Sequence, residues 1–103
     1  MAKRLDDRER ALRAIPEKEF MAGVKRAARD LGWLTYHNLD ARGSDAGFPD
    51  MVLVRRERLV FVECKRRNTK LRPEQEKWLE ALSKADAETY VWRPGDEWAQ
   101  YLA

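Results

Sequence analysis

Asp50-Met51-Val52-Leu53-Val54-Arg55-Arg56-Glu57-Arg58-Leu59-Val60-Phe61-Val62-Glu63-Cys64-Lys65 is the stretch whose reading decides the fold. Two β-rich runs, residues 50–54 and 59–65, flank a polar Arg55-Arg56-Glu57-Arg58, which predicts a hairpin. With an even loop, whether Arg56-Glu57 or all four polar residues, opposite positions sum to 113. Val54 then faces Leu59, Val52 faces Phe61 and Asp50 faces Glu63. An odd loop would send Asp50 and Glu63 to opposite faces.

Directly opposite residues carry Cβ atoms about 4.5–5.5 Å apart, where two carboxylates repel. Something positive belongs between them. Lys65 lies two residues beyond Glu63 and so shares its face. A divalent cation is the other candidate, because two carboxylates, a backbone carbonyl and water suit the octahedral oxygen shell of Mg²⁺. The carbonyl of Cys64 is placed to be that third donor. Leu59-Val60-Phe61-Val62 is apolar on both faces, so Glu63 continues what reads as a buried strand, and charges rarely enter a core without purpose.

Working outward, residues 66–72 read as a basic loop, and Pro73 opens a helix whose face is Gln75, Trp78, Leu79, Leu82 and Ala85. On the amino-terminal side, Pro16 sits in the first turn of a helix with Glu17 and Glu19 at its positive end. Phe20, Val24, Ala27, Ala28 and Leu31 recur at helical spacing, and Gly32 ends the run. Residues 33–37 read as a strand and 38–49 as a loop. Residues 88–92 read as a last strand, Arg93-Pro94-Gly95 as a turn, and Asp96 as the cap of a short terminal helix through Leu102. The predicted order is α-β-β-β-α-β-α. A helix joins the third strand to the fourth, so that pair can be parallel, and the fold class is α/β with a small mixed sheet of about four strands flanked by helices. Residues 1–15 form a charged extension, an exposed helix at best, and residues 16–103 the single domain.

Composition narrows the chemistry. The chain has 103 residues, one cysteine and one histidine, so it holds no internal disulfide and no zinc site built of thiolates and imidazoles. Its glycines never fall into a nucleotide-cradling pattern, so no nucleotide cofactor is expected. The longest apolar runs are four residues, far short of a bilayer span, and the charged start has no signal-peptide core; a cytoplasmic location is expected, with no membrane partner. The net charge of +3 conceals an uneven distribution: residues 55–72 carry eight basic and two acidic side chains, and the rest of the chain sums to −3. Such a block is the footprint of a polyanion partner, or else a solvated basic loop.

Gly47-Phe48-Pro49-Asp50, then Val60-Phe61-Val62-Glu63-Cys64-Lys65, then Gln75 on the next helix, resembles the PD-(D/E)xK nuclease signature, and in particular the small stand-alone VRR-NUC members of phages and bacteria. The Leu31-Gly32-Trp33, Tyr36-His37 and Val91-Trp92-Arg93-Pro94 segments extend the likeness over residues 16–96.

The resemblance implies a restriction-endonuclease-like core and metal-dependent hydrolysis of DNA phosphodiesters, with Mg²⁺ or Mn²⁺ as cofactor. It implies Asp50 and Glu63 as metal ligands beside the Cys64 carbonyl, Lys65 as the residue that orients or activates water, and Gln75 as an assisting residue. It also implies a glutamate on the first helix, reaching the metal directly or through water. Glu17 lies on the inward stripe of that helix, three and seven residues before Phe20 and Val24, whereas Glu19 is rotated off it. DNA-binding residues would be Arg55, Arg56, Arg58, Arg66, Arg67, Lys70 and Arg72. His37 either touches phosphate or closes the inner sheet edge. Trp33, Trp78, Trp92 and Trp98 could stack bases, but Trp78 and Trp92 lie on core-like stripes, which favours burial.

The members it resembles suggest a Holliday-junction-resolving endonuclease, with another branched-DNA or nicking endonuclease, or a non-catalytic DNA-binding protein, as alternatives. The partner is branched or duplex DNA. A two-fold junction needs two active sites, so a homodimer is expected.

Overall fold

The computed structural model describes residues 5–38 and 45–103. Part of the expected loop at 38–49 and the start of the amino-terminal extension lie outside the described residues.

Helices α1 (Asp7–Ala14) and α2 (Glu17–Asp30) lead into strand β1 (Leu34–His37). Strands β2 (Met51–Arg55) and β3 (Arg58–Cys64), helix α3 (Pro73–Lys84), strand β4 (Glu88–Trp92) and a 3₁₀ turn (Trp98–Leu102) complete the chain. The sheet order is β1-β2-β3-β4. β1 and β3 both pair antiparallel with β2, while β4 runs parallel to β3 after the α3 crossover.

The hairpin has the two-residue form of the even loop. Met51 pairs with Val62, Val52 with Phe61, Val54 with Leu59 and Arg55 with Arg58. Arg56 takes φ 56° in the tight turn. Extended one step past the last ladder pair, this register sets Asp50 opposite Glu63.

One face of the sheet presents Met51, Leu53, Val60, Val62, Cys64 and Trp92, all buried. Phe20, Val24 and Ala28 of α2 close over it, with Trp33 and Leu102 at the margin. The indole Nε1 of Trp33 donates to the Leu102 carbonyl at 2.9 Å and fastens the carboxyl end to the core. On the other face Phe48 stands edge-on to Phe61 and to Trp78 of α3, with centroids 6.0 and 5.1 Å apart. Asp50 and Glu63 share the parity of Val52 and Phe61, so the acids lie on the α3 side of the sheet.

Three expectations change. Pro16 is the N-cap of α2 rather than part of its first turn, and Ile15 before it is extended, as a residue preceding proline prefers. The amino-terminal segment forms a defined helix, capped by the Asp6 side chain accepting from the Glu9 amide at 2.7 Å. It buries no residue of its own; Glu9 instead pairs with Arg67 at 3.2 Å. At the other end, Asp96 does not cap the terminal helix. That element is a 3₁₀ turn capped at Glu97, while the Asp96 carboxylate accepts from the Arg93 amide at 2.8 Å, serving its own turn first.

Candidate active site

The loop Gly47-Phe48-Pro49-Asp50 delivers the first acid. Gly47 has φ +90° and passes so close to α3 that an added Cβ would lie 2.4 Å from the Glu74 carbonyl oxygen. Only glycine fits both constraints. Phe48 wedges under Trp78, and Pro49 is fully buried. Asp50 is then held from both sides. Its backbone carbonyl accepts from the Asn38 amide at 2.9 Å, and its Oδ2 accepts from the Cys64 amide at 2.8 Å. Within a strand the N–H and C=O of one residue point to the same edge, so the Cys64 carbonyl is directed to the Asp50 side as well.

Glu63 is 2% exposed and Lys65 6%. Gln75 locks Glu63 in place: its Nε2 donates to Glu63 Oε1 at 3.2 Å, while its own Oε1 accepts from the Arg72 amide at 2.8 Å. This capping-box interaction makes the first turn of α3 a fixed wall of the site. The second oxygen, Glu63 Oε2, is buried with no hydrogen-bond donor among the described residues. Its charge is therefore uncompensated on one side. Burial first, then the neighbouring Asp50 carboxylate, pushes the Glu63 pKa up to about 9, with Lys65 pulling the other way. A carboxylate pair of this kind attracts a proton or a cation. A cavity of about 280 Å³ opens onto it, with Asn38, Asp50, Glu63, Arg72, Glu74 and Gln75 in its walls.

Glu17 is half-buried, whereas Glu19 is exposed. Desolvation raises the Glu17 pKa, the charge of Asp50 adds to that, and Lys65, Arg72 and Arg66 oppose it. All four charges are thus within electrostatic reach of Glu17. Among the described residues, no three Asp, Glu, His or Cys side chains converge closely enough to cage a metal by themselves. Side-chain donors at the centre are two, Asp50 and Glu63, with Glu17 set back. This donor set suits Mg²⁺, which keeps several waters and takes one or two carboxylates plus substrate phosphate, and the orphaned Glu63 Oε2 is where a cation would compensate charge. His37 is half-buried, and burial followed by the nearby Lys25 holds its pKa below the ordinary value against the pull of Asp50. The neutral imidazole is favoured. The Cys64 thiol is fully buried, which raises its pKa and leaves it a core residue.

The basic block does not gather in one place. A two-residue hairpin puts Arg55, Arg56 and Arg58 at the opposite end of the sheet from Glu63, about 17 Å along β3. Two of them are engaged in packing. The guanidinium carbons of Arg55 and Arg58 lie 4.8 and 4.9 Å from the Trp33 ring centroid. Arg55 donates to the Leu31 carbonyl and Arg58 forms a two-pronged pair with Glu88. Arg67 is turned inward to Glu9 and the Pro94 carbonyl. Within the block, the exposed basic residues after β3 are Arg66, which also donates to the Arg13 carbonyl at 2.8 Å, Lys70 and Arg72, and Arg72 reaches the cavity.

Two groups near the site escaped sequence reasoning. Asn38 and Asp45 line the cavity, but their placement depends on β1 pairing across a long connection. Lys25, Arg26 and Arg29 line a shallow groove on α2, a stripe that helical spacing alone reveals.

The VRR-NUC domain family matches residues 3–94. The chain belongs to the VRR-NUC family. A solved structure described as a VRR_NUC domain shares 28% identity, with a TM-score of 0.64, covering 73% of this chain and 81% of that one. No curated protein matches. VRR-NUC is a nuclease-type family, which makes DNA the substrate class. Among the described residues no helix is long and apolar enough to cross a membrane.

Proposed function

We propose that this VRR-NUC domain is a metal-dependent, structure-selective DNA endonuclease, with four-way junctions as its preferred substrate and a homodimer as its working unit. The observation that carries the reading is the pair of half-buried Asp50 and buried Glu63, with one Glu63 oxygen unpartnered among the described residues, at the floor of an open cavity. Mg²⁺ or Mn²⁺ would be held by Asp50, Glu63 and the Cys64 carbonyl, with Glu17 acting through water. When bound, the ion supplies Lewis-acid polarisation of the phosphate and acidification of water.

The remaining steps belong to the chain. Gln75 keeps Glu63 oriented. Lys65, buried beside the acids, stabilises the attacking hydroxide and the charge that develops on the phosphorane oxygens. Water attacks phosphorus in line with the departing 3′ oxygen, so the P–O3′ bond breaks and a 5′ phosphate remains. Arg66, Lys70 and Arg72 neutralise flanking phosphates, and positioning is theirs rather than base reading. A pure DNA-binding role is less well supported, because buried acids beside a phosphate site repel the ligand a binder would need. Family resemblance supports the junction preference, and one site per chain against a two-fold substrate supports the C2 dimer.

The test is one assay with junction, flap, duplex and single-stranded DNA side by side, in Mg²⁺ and in Mn²⁺. Glu63→Ala and Lys65→Ala are expected to lose cleavage by about 10²-fold or more while retaining DNA binding. Wild-type protein that binds a junction yet cuts nothing in either metal would sink the enzyme reading. Equal cutting of all substrates would remove the junction preference.

A further inference from the structure

A second cavity of about 290 Å³ adjoins the acid site, lined by Tyr36, Asn38, Asp45, Phe48 and Trp78. It shares Asn38, Asp45 and Phe48 with the cavity over Asp50 and Glu63, so occupants of the two would be immediate neighbours. Its walls are aromatic. Phe48 is fixed edge-on to Trp78, while Tyr36, on edge strand β1, is 64% exposed and stacks on no aromatic ring among the described residues. Trp78 was expected in the core; it is only half-buried, and part of its remaining surface lines this cleft.

The polar rim decides what fits. Asn38 offers both a donor and an acceptor, and Asp45 offers only acceptors when ionised. An anionic rim is wrong for a phosphate and right for the exocyclic amines and ring N–H groups of a base, while the Asn38 amide can donate to a ring nitrogen. The volume lies just under the small end of ligand pockets, which suits one planar ring system and not a helix or a base pair. Aromatic faces flanked by hydrogen-bonding groups are how proteins take hold of single nucleobases. Within a duplex both faces of each base are already stacked, so only an unpaired or extruded base can enter.

We propose that the Tyr36–Trp78 cleft receives one nucleobase, unpaired in a flap or extruded at the branch point of a junction, next to the phosphate at Asp50 and Glu63, and that this contact favours branched over plain duplex DNA. The adjacency to a scissile phosphate rests on the nuclease reading; the base-binding itself does not. Tyr36 is then a specificity residue, and its hydroxyl is dispensable.

The experiment places 2-aminopurine, a fluorescent adenine analogue quenched by stacking, at successive unpaired positions beside a branch and at matched positions in duplex. Binding is measured with full-length Glu63→Gln protein, which holds DNA without cutting it. Quenching is expected at one unpaired position only. Tyr36→Ala is expected to abolish it and to weaken branched-DNA binding roughly tenfold, as loss of one base stack does, with duplex affinity unchanged and Tyr36→Phe behaving as wild type. Thermal melting of Tyr36→Ala checks folding, and the exposed position makes an unchanged melting temperature the expected result.

Equal weakening on branched and duplex DNA overturns the proposal. So does a change in the oligomeric state of free Tyr36→Ala, which would assign the cleft to a second copy of the chain. Stacking without cleavage by wild-type protein removes the nuclease reading and leaves the cleft standing. Cleavage indifferent to both the unpaired base and Tyr36→Ala does the reverse.

Discussion

Glu63→Gln should stabilise the protein in the absence of divalent cations. The Glu63 carboxyl, with its pKa pushed from 4.5 up to about 9 by burial and then by Asp50, stays protonated in the fold at pH 7 and ionises on unfolding. Between those two values the native state binds more protons than the unfolded chain, so stability falls as pH rises through the window. Below the lower value both states are protonated and the penalty vanishes. At about 1.4 kcal/mol per pH unit, the penalty at pH 7 has a ceiling of roughly 3 kcal/mol. Water reaching the carboxyl through the open cavity lessens the penalty, which brings the expected gain for Glu63→Gln to about 1–3 kcal/mol. Glutamine has the shape of the protonated acid and can still accept from Gln75 Nε2. For a domain of this size the gain corresponds to a melting temperature higher by about 4–8 °C per kcal/mol. The assay is thermal unfolding of both proteins from pH 5 to 9 in EDTA, repeated with Mg²⁺. Wild type should lose stability with rising pH in EDTA and recover it with Mg²⁺ at the alkaline end, while the variant loses less between pH 7 and 9 and gains nothing from Mg²⁺. A flat wild-type profile, or a variant that melts lower at pH 8 in EDTA, would refute the reasoning.

Gly47→Ala forces a Cβ against the Glu74 carbonyl at 2.4 Å and a strained φ of +90°, so a loss of about 2 kcal/mol or more is expected in chemical denaturation, with weaker cleavage because the Asp50 loop shifts. Arg58→Ala and Arg72→Ala should separate structure from binding. The first lowers stability by about 1 kcal/mol, through a half-exposed pair with Glu88 and packing on Trp33, and leaves DNA affinity unchanged. The second leaves stability unchanged and weakens DNA binding, read by fluorescence anisotropy.

The acid pair was legible because a two-residue hairpin turns loop length into register, and register into faces. Gln75 and Glu17 were legible for a similar reason, as members of stripes whose other residues are apolar. What charge counting could not convey is whom each arginine meets. Arg58 finds Glu88 thirty residues on in sequence, and Arg67 finds Glu9 fifty-eight residues back, pairings that only the closed fold creates. Asn38 was illegible because the β1–β2 connection is too long for its register to follow from sequence. Asp96 was misread because two short-range uses compete for one carboxylate, and the nearer amide won.

Trp33, against which two guanidinium groups pack at the closed end of the hairpin, changes what the basic block means in solution. Arg55, Arg58 and Arg67 are committed inside the molecule, Arg56 points away at the hairpin tip, and Lys65 is buried with the acids. Arg66, Lys70 and Arg72 remain to displace condensed ions from this block's side of the DNA. The logarithmic salt dependence of binding contributed by the segment should therefore approach −3 rather than the −7 that eight basic residues would suggest, at about −0.9 per neutralised phosphate. A segment so sparingly coupled to ionic strength adds little grip through charge alone, and leaves more of the discrimination to the shape of what enters the site.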